Sequence, residues 1–263
     1  MDLKLNGKRV LVMASSKGLG KAVAAEFARE GAVVFLTSRS EEALAGTAGE
    51  IRRETGNEEI HFAPCDMSSA DDITRLFKTV RKTIGAPDIL INNTGGPKAG
   101  GFEGVEDADW IHAFEQNLLS YTRTIREVLP SMKENGWGRI INISSSSTKE
   151  VIDGLILSNT MRAGMVGLSK SLARETAADG ILVNTVGPGR IETDRIIELD
   201  SITAEKRGIP LEQITEEQRA RIPIGRYGKP DEFARAVVFL ASGANTYLTG
   251  QSLVIDGGML KAL

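Results

Sequence analysis

KRVLVMA followed by SSKGLGKAVAAEFAREG, residues 8–31, decides the fold. The first seven residues form a short apolar run, and in the remainder Ala22, Val23, Ala25, Phe27 and Ala28 recur at helical spacing before Gly31 ends the pattern. The reading is strand, turn, helix. An apolar run without polar alternation is buried on both faces, which is the habit of strands in parallel sheets covered by crossover helices.

The same unit repeats outward from there. AVVFLTS (32–38), IHFAPCD (60–66), DILINN (88–93), RIINIS (139–144), ILVNTVGP (181–188) and QSLVID (251–256) read as strands. Helical patterns cover 41–56, 73–85, about 108–133, 154–175 and 230–242. The expected architecture is α/β, a doubly wound seven-stranded parallel sheet of Rossmann type flanked by helices, closed by right-handed crossovers. Ligands in such sheets collect beyond the carboxyl ends of the strands, so the loops at 14–20, 38–40, 66–67, 92–101, 144–150 and 187–220 are expected to converge.

Composition narrows the function. The 263 residues are 41% hydrophobic, enough for a sizeable core, and no linker, repeat or low-complexity tract divides them, so one domain over 1–263 is expected. A net charge of −3 with mixed signs argues against a nucleic-acid or polybasic membrane surface. No apolar run approaches the roughly 18 residues of a membrane span, and the amino terminus does not read as a signal sequence. A cytoplasmic protein with a small-molecule substrate is expected. Cys65 is the single cysteine, and His61 and His112 the two histidines, which leaves no metal-ligand cluster.

Gly18 and Gly20 lie in the first strand-to-helix turn, where bare backbone and a helix amino end suit a pyrophosphate. At the end of the second strand, an acidic residue would bind the ribose 2′-hydroxyl of NAD. Ser38 and Arg39 stand there instead. An acid would repel a 2′-phosphate, whereas Arg39, helped by Lys17, can pair with one, so the expected cofactor is NADP(H).

With these residues in place, the chain resembles the short-chain dehydrogenase/reductases over nearly its whole length, and in pattern the 3-oxoacyl-acyl-carrier-protein reductases above all. The family's Gly-x-x-x-Gly-x-Gly turn matches Ala14, Gly18 and Gly20, with Ala14 replacing the first glycine. Asp66 and Met67 match the pair that contacts adenine, Asn92-Asn93-Thr94-Gly95 matches Asn-Asn-Ala-Gly, and Pro188-Gly189 with Thr193 matches the segment beside the nicotinamide. GRYGKPDEFARAVVFLAS and YLTGQSLVIDGG match its carboxyl-terminal part. The resemblance implies a cofactor site of Ala14, Ser16, Lys17, Gly18, Leu19, Gly20, Ser38, Arg39, Asp66, Met67, Asn93, Gly95, Arg162, Pro188, Gly189, Ile191 and Thr193. It also implies a homotetramer, paired through the long helices and the last strand.

The family's catalytic tetrad is Asn, Ser, Tyr and Lys. Asn117 matches the asparagine, and Ser145 stands at the usual spacing within the run Ser144 to Ser147, any of which can face the cleft. The tyrosine position holds Ser158 and the lysine position Arg162. In the family the tyrosine protonates the carbonyl oxygen as hydride arrives, helped by a lysine that also holds the nicotinamide ribose. Bringing a phenol from about 10 towards 7 takes roughly 4 kcal/mol of differential stabilisation. A serine hydroxyl is far less acidic, and an arginine stays protonated. Losing acid–base help removes a factor of about 10²–10⁴ but leaves hydride proximity intact. Tyr121, one turn beyond Asn117, and Lys149, just after the serine run, are the remaining candidates for a proton donor; His61 and His112 read as surface or structural.

Between Thr193 and Ile222 lie Ile196, Ile197, Leu199, Ile202, Leu211 and Ile214, with a Thr215-x-x-Gln218 capping pattern. This predicts two short amphipathic helices forming a substrate lid at about 193–222. Two functions remain open on sequence alone. One is an NADP(H)-dependent oxidoreductase of a carbonyl or alcohol substrate with atypical proton transfer. The other is a catalytically weak or inactive NADP(H)-binding protein, a sensor or partner subunit.

Overall fold

A computed structural model describes residues 1–262. Seven parallel strands form one sheet in the order β3-β2-β1-β4-β5-β6-β7. They are β1 (Arg9–Val12), β2 (Val33–Ser38), β3 (Ile60–Pro64), β4 (Ile89–Asn92), β5 (Gly138–Ile143), β6 (Ile181–Pro188) and β7 (Ser252–Ile255). The helices are α1 (Gly18–Arg29), α2 (Glu41–Thr55), α3 (Ala70–Thr83), α4 (Asp107–Phe114), α5 (Ser120–Glu134), α6 (Ile156–Thr176), α7 (Asp194–Arg207), α8 (Leu211–Ala220) and α9 (Pro230–Ala241).

The period-two geometry of a strand sends its residues to two cores. Val10, Val12, Ile89, Ile91 and Ile141 pack with Phe27 of α1, Leu44 of α2 and Phe233 of α9. Leu11, Leu90 and Ile140 pack with Phe77 of α3, Tyr121 of α5 and Met165 of α6. Both faces are therefore apolar, which is why the strand sequences show no polar alternation. The chain order reverses between β1 and β4, and the crevice above that point is where such sheets bind ligands.

Two expectations about helices are corrected. The pattern at 108–133 is not one helix: a π-helical turn at Glu115–Leu119 separates α4 from α5 and carries Asn117. Thr215 caps nothing, because α8 begins at Leu211 after Pro210 and the Thr215 hydroxyl, inside the helix, donates to the Leu211 carbonyl at 3.0 Å. Proline removes a donor the first turn leaves unpaired in any case, so it sets the start five residues earlier than the capping pattern implied.

Candidate active site

The strand-end loops converge on a cleft of about 1550 Å³. Single-ligand pockets run to roughly 300–1,000 Å³, so a dinucleotide and a substrate both have room. Its walls include Ala14, Ser16, Lys17, Gly18 and Leu19; Ser38 and Arg39; Asp66 and Met67; Asn93 and Gly95; Ser144, Ser145 and Ser146; Ser158 and Arg162; and Pro188, Gly189, Ile191 and Thr193.

The first turn is shaped by close backbone approach. A Cβ at Gly20 would lie 2.3 Å from the Ala14 carbonyl oxygen, so only glycine lets α1 start there. Gly20 therefore supports the wall from behind and does not line it. Ala14 adopts a left-handed φ of +47°, uncommon for a residue with a side chain, and its carbonyl accepts from Asn93 Nδ2 at 3.2 Å. The glycine missing from the motif is thus replaced by an alanine holding the conformation a glycine would take.

Helix ends distinguish this turn from its neighbours. Ser40 caps α2 and Ser69 caps α3, and each of these helices has two acids in its first turn. Helix α1 has no side-chain cap and no first-turn acid. Its amino end opens on the cleft with unpaired N–H groups, the arrangement that takes a phosphate. Arg39 is exposed and makes no ion pair among the described residues, while the Ser38 hydroxyl donates to the Ser40 carbonyl at 3.4 Å. Lys17, expected beside Arg39, pairs instead with Asp194 of α7 at 3.1 Å, both side chains being about three-quarters exposed. Asp66 is oriented by Ser68, whose amide and hydroxyl donate to one carboxylate oxygen at 2.9 and 2.8 Å. Beside it, burial pushes the Cys65 thiol up to about 12, aided by Asp72 and Asp66, so it stays protonated at neutral pH.

The β5–α6 end of the cleft is built differently. Asn117 is fully buried behind the wall; its amide donates to Thr94 Oγ1 and the Gly95 carbonyl, both at 2.8 Å, and its Oδ1 has no partner among the described residues. It fixes the loop after β4. Ser145 is the partly exposed member of the serine run, and its hydroxyl oxygen accepts from the Ser147 amide at 3.1 Å. Ser144 and Ser147 are buried, and their hydroxyls have no partner among the described residues. Ser158 lines the cleft half-buried. Arg162, 4% exposed, donates from Nη1 to the Ile143 carbonyl at 3.1 Å and to the Tyr121 oxygen at 3.5 Å.

Neither candidate proton donor reaches the cleft. Tyr121 is completely buried, with its hydroxyl donated to the Ile143 carbonyl at 2.9 Å, and Lys149 is exposed outside the lining. His112, read as surface or structural, lies on the cleft rim with Gln116.

Some of the site was not visible in sequence. Behind the wall, Thr124 donates to Asn92 at 2.6 Å, Asn92 to Asn142 at 2.9 Å, and Asn142 and Thr185 each to Ser169 at 2.9 Å. This buried chain ties β4, β5, β6, α5 and α6 together behind the cleft. Met259, Leu260 and Lys261 also line the cleft, although the sequence placed the end of the chain with subunit pairing. Above the cleft, Asp200 of α7 is buried between Arg190, with which it ion-pairs, and the Tyr227 hydroxyl, which donates to it at 2.7 Å. Burial and the Asp200 hydrogen bond push the Tyr227 phenol up to about 12. No metal-ligand cluster occurs among the described residues.

Comparison with known proteins agrees with this architecture. A family model described as enoyl-(acyl carrier protein) reductase matches residues 13–260. A 3-oxoacyl-[acyl-carrier-protein] reductase of Aquifex aeolicus is 34% identical over 259 residues, covering 98% of this chain and 100% of the relative. L-sorbose reductase from Gluconobacter frateurii, in a structure complexed with NADPH and L-sorbose, superposes with a TM-score of 0.94 at 30% identity, each chain covered completely. An actinorhodin polyketide ketoreductase with NADPH gives 0.92 at 33% identity, covering 96% of this chain and 97% of that one. With a matched family model over nearly its full length and a full-length relative above 30% identity, the chain belongs to the short-chain dehydrogenase/reductase family.

Proposed function

We propose that the chain is an NADP(H)-dependent oxidoreductase of a carbonyl or alcohol substrate in which proton transfer departs from the family pattern. The observation that carries this reading is the uncapped amino end of α1 sharing one cleft with Arg39 and with Ser145 and Ser158. The residues present fit the cofactor. Gly18 and the uncapped first turn of α1, which Gly20 lets approach, would hold the pyrophosphate, Arg39 and Ser38 the 2′-phosphate, Asp66 and Met67 the adenine, and Pro188 to Thr193 the nicotinamide side. The bound cofactor supplies hydride. Ser145 and Ser158 hold the substrate oxygen by hydrogen bonds, and the alkoxide formed as hydride arrives takes its proton from solvent, releasing hydroxide to the bulk, in place of a side-chain acid. The relatives named above are reductases by name, and two of them are in structures with NADPH, which supports the same class here.

Several parts of the reading follow from it. The whole chain acts as one domain, with α7 and α8 as a lid that Asp200 and Tyr227 pin above the cleft. We also propose a homotetramer. Phe102, Ile111 and Phe114, 74%, 61% and 43% exposed around α4, leave an apolar face that pairing would cover. A cytoplasmic location suits a reductase that draws on free NADPH. The second reading, a non-catalytic NADP(H) binder, is favoured by Ser158 and Arg162 alone. Oxidation of NADPH across a panel of aldehydes, ketones, quinones and acyl thioesters separates the two. Turnover above a cofactor-only control is expected, and its absence throughout, with NADPH bound, establishes the binder.

A further inference from the structure

At the amino ends of β1, β5 and β6, on the opposite edge of the sheet from the cleft, the turns leave a second cavity of about 550 Å³. Lys4, Lys8 and Arg139 line it beside Trp137, and no acid does. Shared neighbours hold the three cations together. Lys8 Nζ lies 4.1 Å and the Arg139 guanidinium carbon 4.4 Å from the centre of the Trp137 ring. Arg139 Nε donates to the Ser242 carbonyl at 3.4 Å, and the Lys4 side chain runs over the next residue, Gly243, where a Cβ would meet Lys4 Cδ at 3.3 Å. Lys4 holds a left-handed φ of +55°. The one other residue with a side chain that does so among the described residues is Ala14, in the turn that opens the cleft.

None of these charges is neutralised. The side chains of Lys4 and Lys8 make no hydrogen bond or ion pair among the described residues, and the acids near them are committed elsewhere. Asp88 holds Arg9 through two bonds of 2.9 and 2.7 Å, Asp179 pairs with Lys133 at 3.3 Å, and Asp2 accepts from the Lys4 amide at 2.9 Å. Arg139, 4% exposed, donates to the carbonyls of Gly138, Gly180, Ser242 and Asn245, which take its hydrogen bonds and leave its charge. Burial holds its guanidinium down at about 10. An aromatic face attracts a cation through its quadrupole without cancelling the charge, so Trp137 gathers two cations where an acid would have neutralised them.

A compact polyanion suits this cavity. Three positive charges around one opening favour a ligand with two or more negative charges, and lysine ammonium groups meet phosphate or carboxylate as point charges. The Trp137 ring is already engaged by Lys8 and Arg139, so a stacked base adds nothing. The room is that of a small-molecule pocket, within the roughly 300–1,000 Å³ such pockets occupy. We propose that Lys4 and Lys8, in the field of Arg139, bind a compact multivalent anion bearing phosphate or several carboxylates, at a site separate from the cleft. The proposal does not rest on the cleft's being an NADP(H) site. Bound there, the anion neutralises charge among the turns before β1, β5 and β6 and stabilises the folded chain by mass action.

The test uses the full-length protein without divalent cations, saturated with NADP⁺ so that the cleft is filled, and titrated with pyrophosphate, citrate and acetate at constant ionic strength. Binding is read by calorimetry and thermal shift. Trp110→Phe leaves Trp137 as the sole tryptophan, whose emission gives a local signal far from the cleft. Pyrophosphate or citrate is expected to bind once per chain, to raise Tm and to change Trp137 emission, with the monoanion acetate ten times or more weaker. The tighter of the two polyanions tells phosphate from carboxylate recognition. Combined Lys4→Gln and Lys8→Gln should weaken binding tenfold or more while leaving the NADP⁺ dissociation constant within threefold, and Lys8→Arg should retain most of it. No saturable binding of either polyanion at millimolar concentration by the natural protein overturns the inference, and this arm needs no variant to fold. Acetate as tight as the polyanions overturns it, as does binding that the double variant keeps. Binding that vanishes once NADP⁺ fills the cleft overturns it too, since the anion then sits at α1.

Discussion

Where β1, β2 and β3 end, the cleft is assembled mostly from backbone: a left-handed turn at Ala14, a glycine that lets α1 approach and an uncapped helix end, beside an Arg39 that makes no ion pair among the described residues. Where β5 meets α6, it is assembled from side chains, of which Ser158 is far less acidic than the tyrosine it matches and Arg162 differs from the matched lysine in the geometry of its donors. The contrast shows which constraints each end obeys. Phosphate recognition through N–H groups depends on the path of the main chain, so Ala14 can stand for glycine provided the path is kept. Proton transfer depends on the pKa of one atom at one place, and no serine or arginine at 158 and 162 reproduces a phenol and an amine. Binding at one end and altered chemistry at the other are therefore compatible in a single cleft.

The largest expected effect comes from making the two ends alike. Ser158→Tyr combined with Arg162→Lys is expected to raise reduction of simple ketones by about 10²–10⁴ in kcat, read as NADPH oxidation. Positions 158 and 162 are one helical turn apart, so either change alone should give far less than the pair. A double variant that binds NADPH and reduces nothing would show the difference to lie in the shape of the cleft as well as in its acid.

Breaking the other end is expected to have an intermediate effect. Arg39→Asp replaces a partner for a 2′-phosphate by a repelling charge, and a charge-assisted hydrogen bond contributes about 1.5–3 kcal/mol. Preference for NADPH over NADH should fall about 10- to 100-fold or reverse, measured by fluorescence titration of both cofactors. An unchanged ratio would move phosphate recognition away from β2.

Smaller effects sharpen the backbone argument. Ala14→Gly relieves a left-handed conformation that costs roughly 1–2 kcal/mol, offset in part by the greater freedom of glycine in the unfolded chain. A gain of up to about 1 kcal/mol follows, or about 2–4 °C in Tm for a chain of this size, with NADPH affinity undiminished. A destabilised Ala14→Gly protein would mean the turn is held by something other than φ. The smallest effect is expected at Lys17, whose exposed pair with Asp194 is of a kind that contributes about 0–1 kcal/mol. Lys17→Ala should lower Tm by anywhere from nothing to about 2–4 °C, and a large loss of NADPH affinity would return Lys17 to the phosphate site.

The sheet and the glycine turn after β1 were legible in sequence because both are written in local pattern: apolar runs for strands buried on both faces, and glycines where backbone must come close. Ser38 and Arg39 could be placed because one ends β2 and the other follows it directly. What sequence did not disclose depends on partners distant in the chain. Lys17 meets Asp194, Asn92 meets Asn142, and Asp200 meets Tyr227 through folding alone. The π-helical turn at Asn117 does not interrupt the helical hydrophobic pattern, so the two helices read as one. The Thr215 pattern failed for the opposite reason, a local signal overridden by Pro210. The closing of the cleft by Met259 to Lys261 follows from where β7 ends, which periodicity does not specify.

The central claim is that the two ends of the cleft are separable, a working NADP(H) site beside altered proton chemistry. It is tested most directly by titrating NADPH and NADH, side by side, into the natural chain and into the Ser158→Tyr, Arg162→Lys double variant. NADPH is expected to bind at least ten times tighter than NADH in both proteins, with its dissociation constant differing less than about threefold between them. Equal affinity for the two cofactors in the natural chain, or loss of NADPH binding when only positions 158 and 162 are changed, would contradict the account.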